Sequence, residues 1–199
     1  SQTICSNGTA LVSGASSSNG TILWTSNGLG SLTNATTLTP TYTAALGDAG
    51  LTRTLTMTVT SINACASQTA TASYTVIVNA SPTASAGGSQ TICSNTTATV
   101  SGASSSNGTI AWTHNGAGSI TSGGTTTAPV YSAAAGDAGN TVTLTMTVSN
   151  SPCSAATATY TVIVTPLPTS SAGGSQTICS NGTALVSGAS SSNGTILWT

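Results

Sequence analysis

Residues 175–199, SQTICSNGTALVSGASSSNGTILWT, repeat residues 1–25 letter for letter. Between them a slightly altered copy opens at Ser89 as SQTICSNTTATVSGASSSNGTIAWT, so the period is about 86–88 residues. The chain reads as a window onto a tandem array, each unit long enough for one small β-domain joined to the next like beads. On this spacing the units are 1–80, with its first edge strand partly missing, 81–166, and 167–199, a truncated third copy. An array points to reach or multivalency rather than to one catalytic pocket.

Charge is nearly absent. Arg53 is the one cation among Lys and Arg, Asp48 and Asp137 are the two anions, and lysine, glutamate and phenylalanine do not occur. Serine and threonine make up 75 of 199 residues, a polar content that in a disordered chain would come without apolar periodicity; here the periodicity is present. Thr, Ser, Gly and Asn form helices poorly, whereas Thr, Val, Ile and Tyr suit strands, so the chain is all-β. The near-neutral balance gives no electrostatic reason to bind nucleic acid or an anionic membrane surface. No apolar run is long enough to span a bilayer, and no leader segment is recognisable.

Strands are expected near Thr9–Ala15, Thr21–Thr25, Thr39–Ala44, Thr52–Ser61 and Thr69–Val78. The second copy repeats them near Thr97–Ala103, Thr109–Thr113, Ala128–Ala133, Thr141–Ser149 and Thr157–Val164. Turn signals separate the first set: Ser16 to Gly20, Asn27-Gly28, Gly47 to Gly50, and Asn63 to Ala66. In Thr54-Leu55-Thr56-Met57-Thr58-Val59-Thr60, period-two alternation places Leu, Met and Val on a core face and every threonine on the other. Trp24, Trp112 and Trp198 hold equivalent places, where a sandwich core takes one large aromatic. The segments 81–88 and 167–174 read as a joint plus first edge strand, where proline is tolerated.

These residues resemble a known family. PTASAGGSQTIC, then TATVSGA, a strand with Trp, APVYSAAAGDAGNTVTLTMTVS and ATATYTVIV are similar to the Ig-like/PKD-like repeats of giant surface adhesins from Bacteroidota, including gliding-motility adhesins of the SprB kind. The resemblance covers the whole chain. It implies tandem Ig-like/PKD-like β-sandwich repeats in an elongated rod, display on the outer surface of a bacterium, and attachment to surfaces or polysaccharide.

Cys5 and Cys65 lie 60 residues apart, as do Cys93 and Cys153, and Cys179 opens the third copy. Regular cysteines in a neutral β-array suggest disulfides in an oxidising, extracellular compartment. Metal binding would need clustered ligands, and no CxxC, His pair or carboxylate cluster lies nearby. Two pairings stay open. One joins Cys5 to Cys65 and Cys93 to Cys153 within each unit. In the strand order that the resemblance implies, however, these partners fall at opposite poles, roughly 20 Å apart, whereas bridged α-carbons lie within about 7 Å. The same order brings Cys5 of one unit toward Cys153 of the next.

Other polar residues read as structural. Asp48 and Asp137 occupy the same GDAG turn, where aspartate hydrogen-bonds local backbone. Arg53 stands where the second copy has Val142 and reads as an exposed strand-end residue; His114 reads as a solvated turn histidine. A Ser-His-Asp triad through His114 and Asp137 would exist in one copy only. No catalytic, cofactor-binding or metal-binding residue is expected, and Ca²⁺-stiffened joints would need more carboxylates than one per unit. Asn7, Asn19, Asn34, Asn79, Asn95, Asn107, Asn181 and Asn193 sit in glycosylation-type triplets, but Asn-Gly is also a turn dipeptide. The threonine ladder Thr52–Thr60 reads as a soluble outer face rather than an ice-binding one.

The chain is thus expected to be a non-enzymatic extracellular stalk or adhesin whose partners are neighbouring repeats and surface polysaccharide. Two alternatives are a self-assembling filament or sheath of identical chains, favoured by uncharged strand edges, and a carbohydrate-binding array, which predicts exposed aromatics.

Overall fold

A computed structural model describes residues 1–65 and 67–199. It divides into two compact units: Ser1–Ser85 with Ser104–Ala111 and Thr147–Ala158, and Ala86–Ala103 with Trp112–Met146 and Thr159–Thr199. The first copy contributes β1 (Gln2–Cys5), β2 (Thr9–Leu11), β3 (Gly20–Ser26), β4 (Ser31–Thr33), β5 (Thr41–Thr43), β6 (Leu51–Ser61) and β7 (Thr69–Asn79). They form a four-stranded sheet in the order β1-β7-β6-β3 and a three-stranded sheet in the order β2-β5-β4. Only β1 runs parallel to its neighbour, with Gln2 opposite Val76 and Cys5 opposite Asn79.

The alternation of β6 does what its sequence requires. Leu55 and Met57 point inward and are buried, while Thr54, Thr56 and Thr58 lie on the other face. Ile4, Trp24, Val76 and Val78 from the same sheet meet Ala10, Val12, Tyr42 and Ala44 from the other in one buried cluster. Face-to-face packing of two inner faces defines an Ig-like β-sandwich. Trp24 is 4% exposed, and its indole N–H donates to the Thr37 carbonyl at 2.9 Å, which meets the need of a buried indole for a partner.

The second copy follows with β8 (Thr83–Ser85), β9 (Ser89–Cys93), β10 (Thr97–Thr99), β11 (Ser104–Ser106), β12 (Thr109–His114), β13 (Ser119–Ser122), β14 (Val130–Ser132), β15 (Thr141–Asn150) and β16 (Cys153–Thr165). Its sheets are β12-β15-β16-β9 and β10-β14-β13, the same orders as in the first copy. Trp112 is 7% exposed and donates to the Thr126 carbonyl at 2.8 Å. β17 (Thr169–Ser171) and β18 (Ser190–Ser192) complete the chain.

The structure corrects several boundaries. Gln2–Cys5 and Ser89–Cys93 are strands, each held by parallel pairing to the last strand of its copy. Parallel pairing between residues some 74 positions apart leaves no local sequence period to read. The segment at 81–88 does not supply an edge strand to a sandwich sheet: β8 pairs only with β11, Thr83 opposite Ser106. In the third copy β17 and β18 repeat this pair, Thr169 opposite Ser192. The expected turn from Asn63 to Ala66 includes Ala66, which lies outside the described residues.

Trp198 is not a core residue here. It is 61% exposed, because Trp24 is covered by β6, with Met57 directly opposite, and residues 167–199 include no counterpart of β6. The concave face lined by Leu185, Val186, Leu197 and Trp198 carries the residues that stand at Leu11, Val12, Leu23 and Trp24 in the first copy. Val12 and Trp24 are core there while Leu11 and Leu23 are exposed, so this face mixes interior and surface positions of the sandwich.

Candidate functional site

Three features of the sandwiches merit a chemical reading: a buried carboxylate, a threonine face and a cysteine joint. Asp48 ends a short 3-10 turn, Leu46–Asp48, and its side chain is fully buried. Its Oδ2 accepts the Tyr42 hydroxyl at 2.5 Å and the Ala45 N–H at 2.9 Å, and its Oδ1 accepts the Leu29 N–H at 2.9 Å. Arg53 Nε lies 2.8 Å from Oδ1, as an ion pair rather than an aligned hydrogen bond. Burial alone would raise the carboxyl, but the bonds from Tyr42, Leu29 and Ala45 and the Arg53 charge outweigh it and hold it at about 2. Burial, reinforced by the adjacent carboxylate, pushes the Tyr42 hydroxyl up.

The second copy rebuilds the knot without a cation. Asp137 takes the Tyr131 hydroxyl at 2.7 Å and the N–H groups of Ala117, Ala134 and Gly118. These bonds outweigh burial and keep its carboxyl low, while burial and Asp137 push Tyr131 up to about 12. Gly28 and Gly116 are needed for the close approach, since a Cβ at either would run into the tyrosine hydroxyl. Every oxygen of each aspartate is thus committed to holding a loop onto the sandwich, and neither is available for acid–base work. The aspartates bind far more than local turn backbone, and the signal for it was the shared spacing of six residues in Tyr42/Asp48 and Tyr131/Asp137. Arg53 is half-buried rather than exposed, drawn in by Asp48. His114 is not a solvated turn residue: it ends β12, half-buried, with its ring 5.2 Å from that of Tyr131. Among the described residues no three His, Cys, Asp or Glu side chains gather to hold a metal.

The outer face of the four-stranded sheet is a field of hydroxyls and methyls. Thr54, Thr56, Thr58 and Thr60 stand opposite Thr75, Ser73, Thr71 and Thr69 on one side, and Thr56, Thr58 and Thr60 opposite Thr25, Leu23 and Thr21 on the other. Leu23 and Ile77 add exposed aliphatic surface. The tryptophans of residues 1–166 are buried and their tyrosines buried or half-buried, so these copies present no aromatic platform for sugars. Seven of the eight candidate glycosylation asparagines, all but Asn79, have positive φ, which marks them as turn residues in the left-handed region.

The cysteine joint resolves the two pairings. Cys5 is bonded to Cys153, with α-carbons 5.3 Å apart, linking the start of the first copy to the hairpin of the second. Cys65 lies beyond the Thr69 end of β7 and Cys5 beside its Asn79 end, so the strand's length, about 33 Å at 3.3 Å per residue, separates them. The joint is also hydrogen-bonded. Asn79 donates to Asn150 Oδ1 at 3.3 Å and to the Ser151 carbonyl at 2.9 Å, and Asn150 donates to the Ala80 carbonyl at 2.9 Å. Cys65, Cys93 and Cys179 are free and exposed.

No family model matches the chain, and no curated protein matches it. Solved structures are similar at the level of fold. The insect immune protein hemolin aligns over 83% of this chain and 44% of its own, at 11% identity and TM-score 0.44, so this chain spans under half of that relative. DIP-gamma IG1+IG2 aligns over 82% and 93%, at 10% identity and TM-score 0.46. Mouse cadherin-23 EC22-24 aligns over 83% and 62%, at 15% identity and TM-score 0.37. Among the described residues no helix is long and apolar enough to cross a membrane.

Proposed function

We propose that this chain is part of a non-enzymatic extracellular repeat array, the stalk or adhesin region of a surface protein, displayed by a bacterium as its repeat style implies. The observation that carries the reading is the Cys5–Cys153 bond, which ties one copy of the repeat to the next. A bond of this kind persists in an oxidising compartment, and its product is a covalent staple between consecutive copies, not a site. Each copy commits its one carboxylate to its own loops and turns an uncharged threonine face outward. Such a face suits weak contacts with polysaccharide or a flat surface, which repetition multiplies into useful avidity.

The test uses the native protein on a denaturing agarose gel, with and without reductant, before and after protease treatment of intact cells. One very large band, unmoved by reductant and lost after surface proteolysis, supports the stalk reading. Small subunits released by reductant would replace it with a disulfide-linked filament, and a protease-resistant band would overturn surface display.

A further inference from the structure

Cys93 is the same residue as Cys5, one copy later, and its surroundings repeat. Cys5 ends β1 opposite Asn79, and Cys93 ends β9 opposite Thr165, the last residue of β16. The next N–H donates to that opposite carbonyl in both, Ser6 to Asn79 at 3.0 Å and Ser94 to Thr165 at 2.9 Å. Asn7 and Asn95 then turn the chain with the same φ of 62°. Cys65 lies in the loop of the first hairpin, between β6 and β7, and Cys153 opens β16 in the second, 88 residues later, the same spacing as from Cys5 to Cys93. One early cysteine and one hairpin cysteine are already bonded in this molecule, while one of each kind, Cys93 and Cys65, is free and exposed.

We propose that Cys93 and Cys65 are the two complementary halves of a further repeat-to-repeat joint, each made to bond the opposite half on another copy of this repeat. The bonded pair shows how the halves fit. The hairpin of one copy lies against the residues that leave the other, with Asn150 on the Ala80 carbonyl and Asn79 on the Ser151 carbonyl. In the second copy Thr165 and Pro166 hold the places of Asn79 and Ala80: the Pro166 carbonyl can take a hairpin amide as that of Ala80 does, while Thr165 offers a hydroxyl where Asn79 offers an amide. Asn63, two residues before Cys65, accepts from Ser61 and the Cys65 N–H through its Oδ1, and its amide nitrogen is the donor this hairpin would offer. The charges are too few to oppose the approach: Arg53, Asp48 and Asp137 are the only charged side chains, and Asp48 and Asp137 are buried. The contact is heterologous, an early half to a hairpin half, so it extends in one direction instead of closing on itself.

Formation of the bond removes one hydrogen from each thiol, releasing two protons and two electrons. The electrons reduce a low-molecular-mass disulfide such as oxidised glutathione to two thiols, through a mixed disulfide on the more accessible cysteine. The inference rests on the array reading in one respect, that copies of the repeat meet. Its test needs only this chain, so its failure would leave the array intact.

The probe is a second copy of the chain in a glutathione redox buffer, with Cys179→Ser throughout so that the third early cysteine takes no part. The single-half variants C65S and C93S, each in that background, are oxidised separately and as an equal mixture. Products are read on non-reducing gels and by mass mapping of linked peptides. The expected result is a dimer in the mixture carrying Cys93 joined to Cys65, in about tenfold excess over like-with-like dimers, since a fitted joint raises the effective concentration of the right partner. The chain retaining both halves should grow a ladder of multimers. A random statistical mixture of the three dimers, or no dimer under conditions that keep Cys5–Cys153 oxidised, would overturn the proposal. Because Cys65, Cys93 and Cys179 are all exposed, none of these substitutions threatens the fold, and retention of the Cys5–Cys153 peptide in the map verifies it.

Discussion

Replacing Asp48 with asparagine tests whether the buried carboxylate holds the first sandwich together. Oδ1 serves the Leu29 N–H and Arg53, and Oδ2 serves the Ala45 N–H and the Tyr42 hydroxyl. An amide keeps one oxygen and sets an NH₂ group where the other was, so two donors lose their acceptor and face a third donor. Each buried donor left in that state costs about 1–3 kcal/mol, and two together cost about 4 kcal/mol. That is a large share of the roughly 5–15 kcal/mol by which a small domain is stable. At about 1.4 kcal/mol per tenfold it corresponds to nearly a thousandfold in the opening equilibrium. Native-state hydrogen exchange at pH 7, read by mass spectrometry, resolves the effect by segment. Peptides across β5 to β7 should exchange about a thousandfold faster in D48N, while D137N should produce its loss across β14 and β15. A change in the first segment of less than about fivefold would refute the idea that this carboxylate carries the loop packing.

Three further outcomes follow from the same geometry. The Asp48 carboxyl sits at about 2 against an ordinary 3.8; its contribution is therefore complete above about pH 5 and lost as pH falls toward 2. The loss is on the order of 2 kcal/mol, measurable as a falling urea midpoint that flattens in D48N. Arg53→Val, which copies Val142 of the second sandwich, should cost less than about 1 kcal/mol by urea unfolding, because Asp48 keeps its three hydrogen-bond donors and Asp137 is held with no cation at all. Gly28→Ala should cost about 1–3 kcal/mol in the same assay by driving Tyr42 off Asp48, and Gly116→Ala should do likewise in the second copy.

Much of the fold was legible wherever a local period existed. Leu55, Met57 and Val59 alternating with threonine fixed a half-buried strand, and Trp24 and Trp112 marked the interior of each sandwich. Strand pairs whose reason is distant were not legible. Ser31–Thr33 is three residues long with one apolar side chain, too short for alternation to show, and β1 owes its existence to a parallel neighbour at the far end of the copy. The Asp48 knot hid for another reason: GDAG has the composition of a surface turn, and nothing within four letters reports that a tyrosine six residues earlier will bury it. The cysteine joint was half legible. Strand polarity raised the distance between Cys5 and Cys65, but choosing Cys153 required the approach of a second hairpin.

The bridge from Cys5 to Cys153 has a consequence for a chain that is pulled. Tension entering near residue 5 and leaving near residue 153 passes through two sulfur atoms and bypasses all the residues between them, a sequence separation of 148. Those residues hold about 500 Å of contour at 3.4 Å each, none of which can be drawn out while the bond is intact. Hydrogen bonds in the bypassed strands bear no load, so the sandwiches stay folded at forces that would unravel an unbridged tandem chain. Reductant would put the sandwiches themselves under the load, so that this length could be drawn out as each one unfolds.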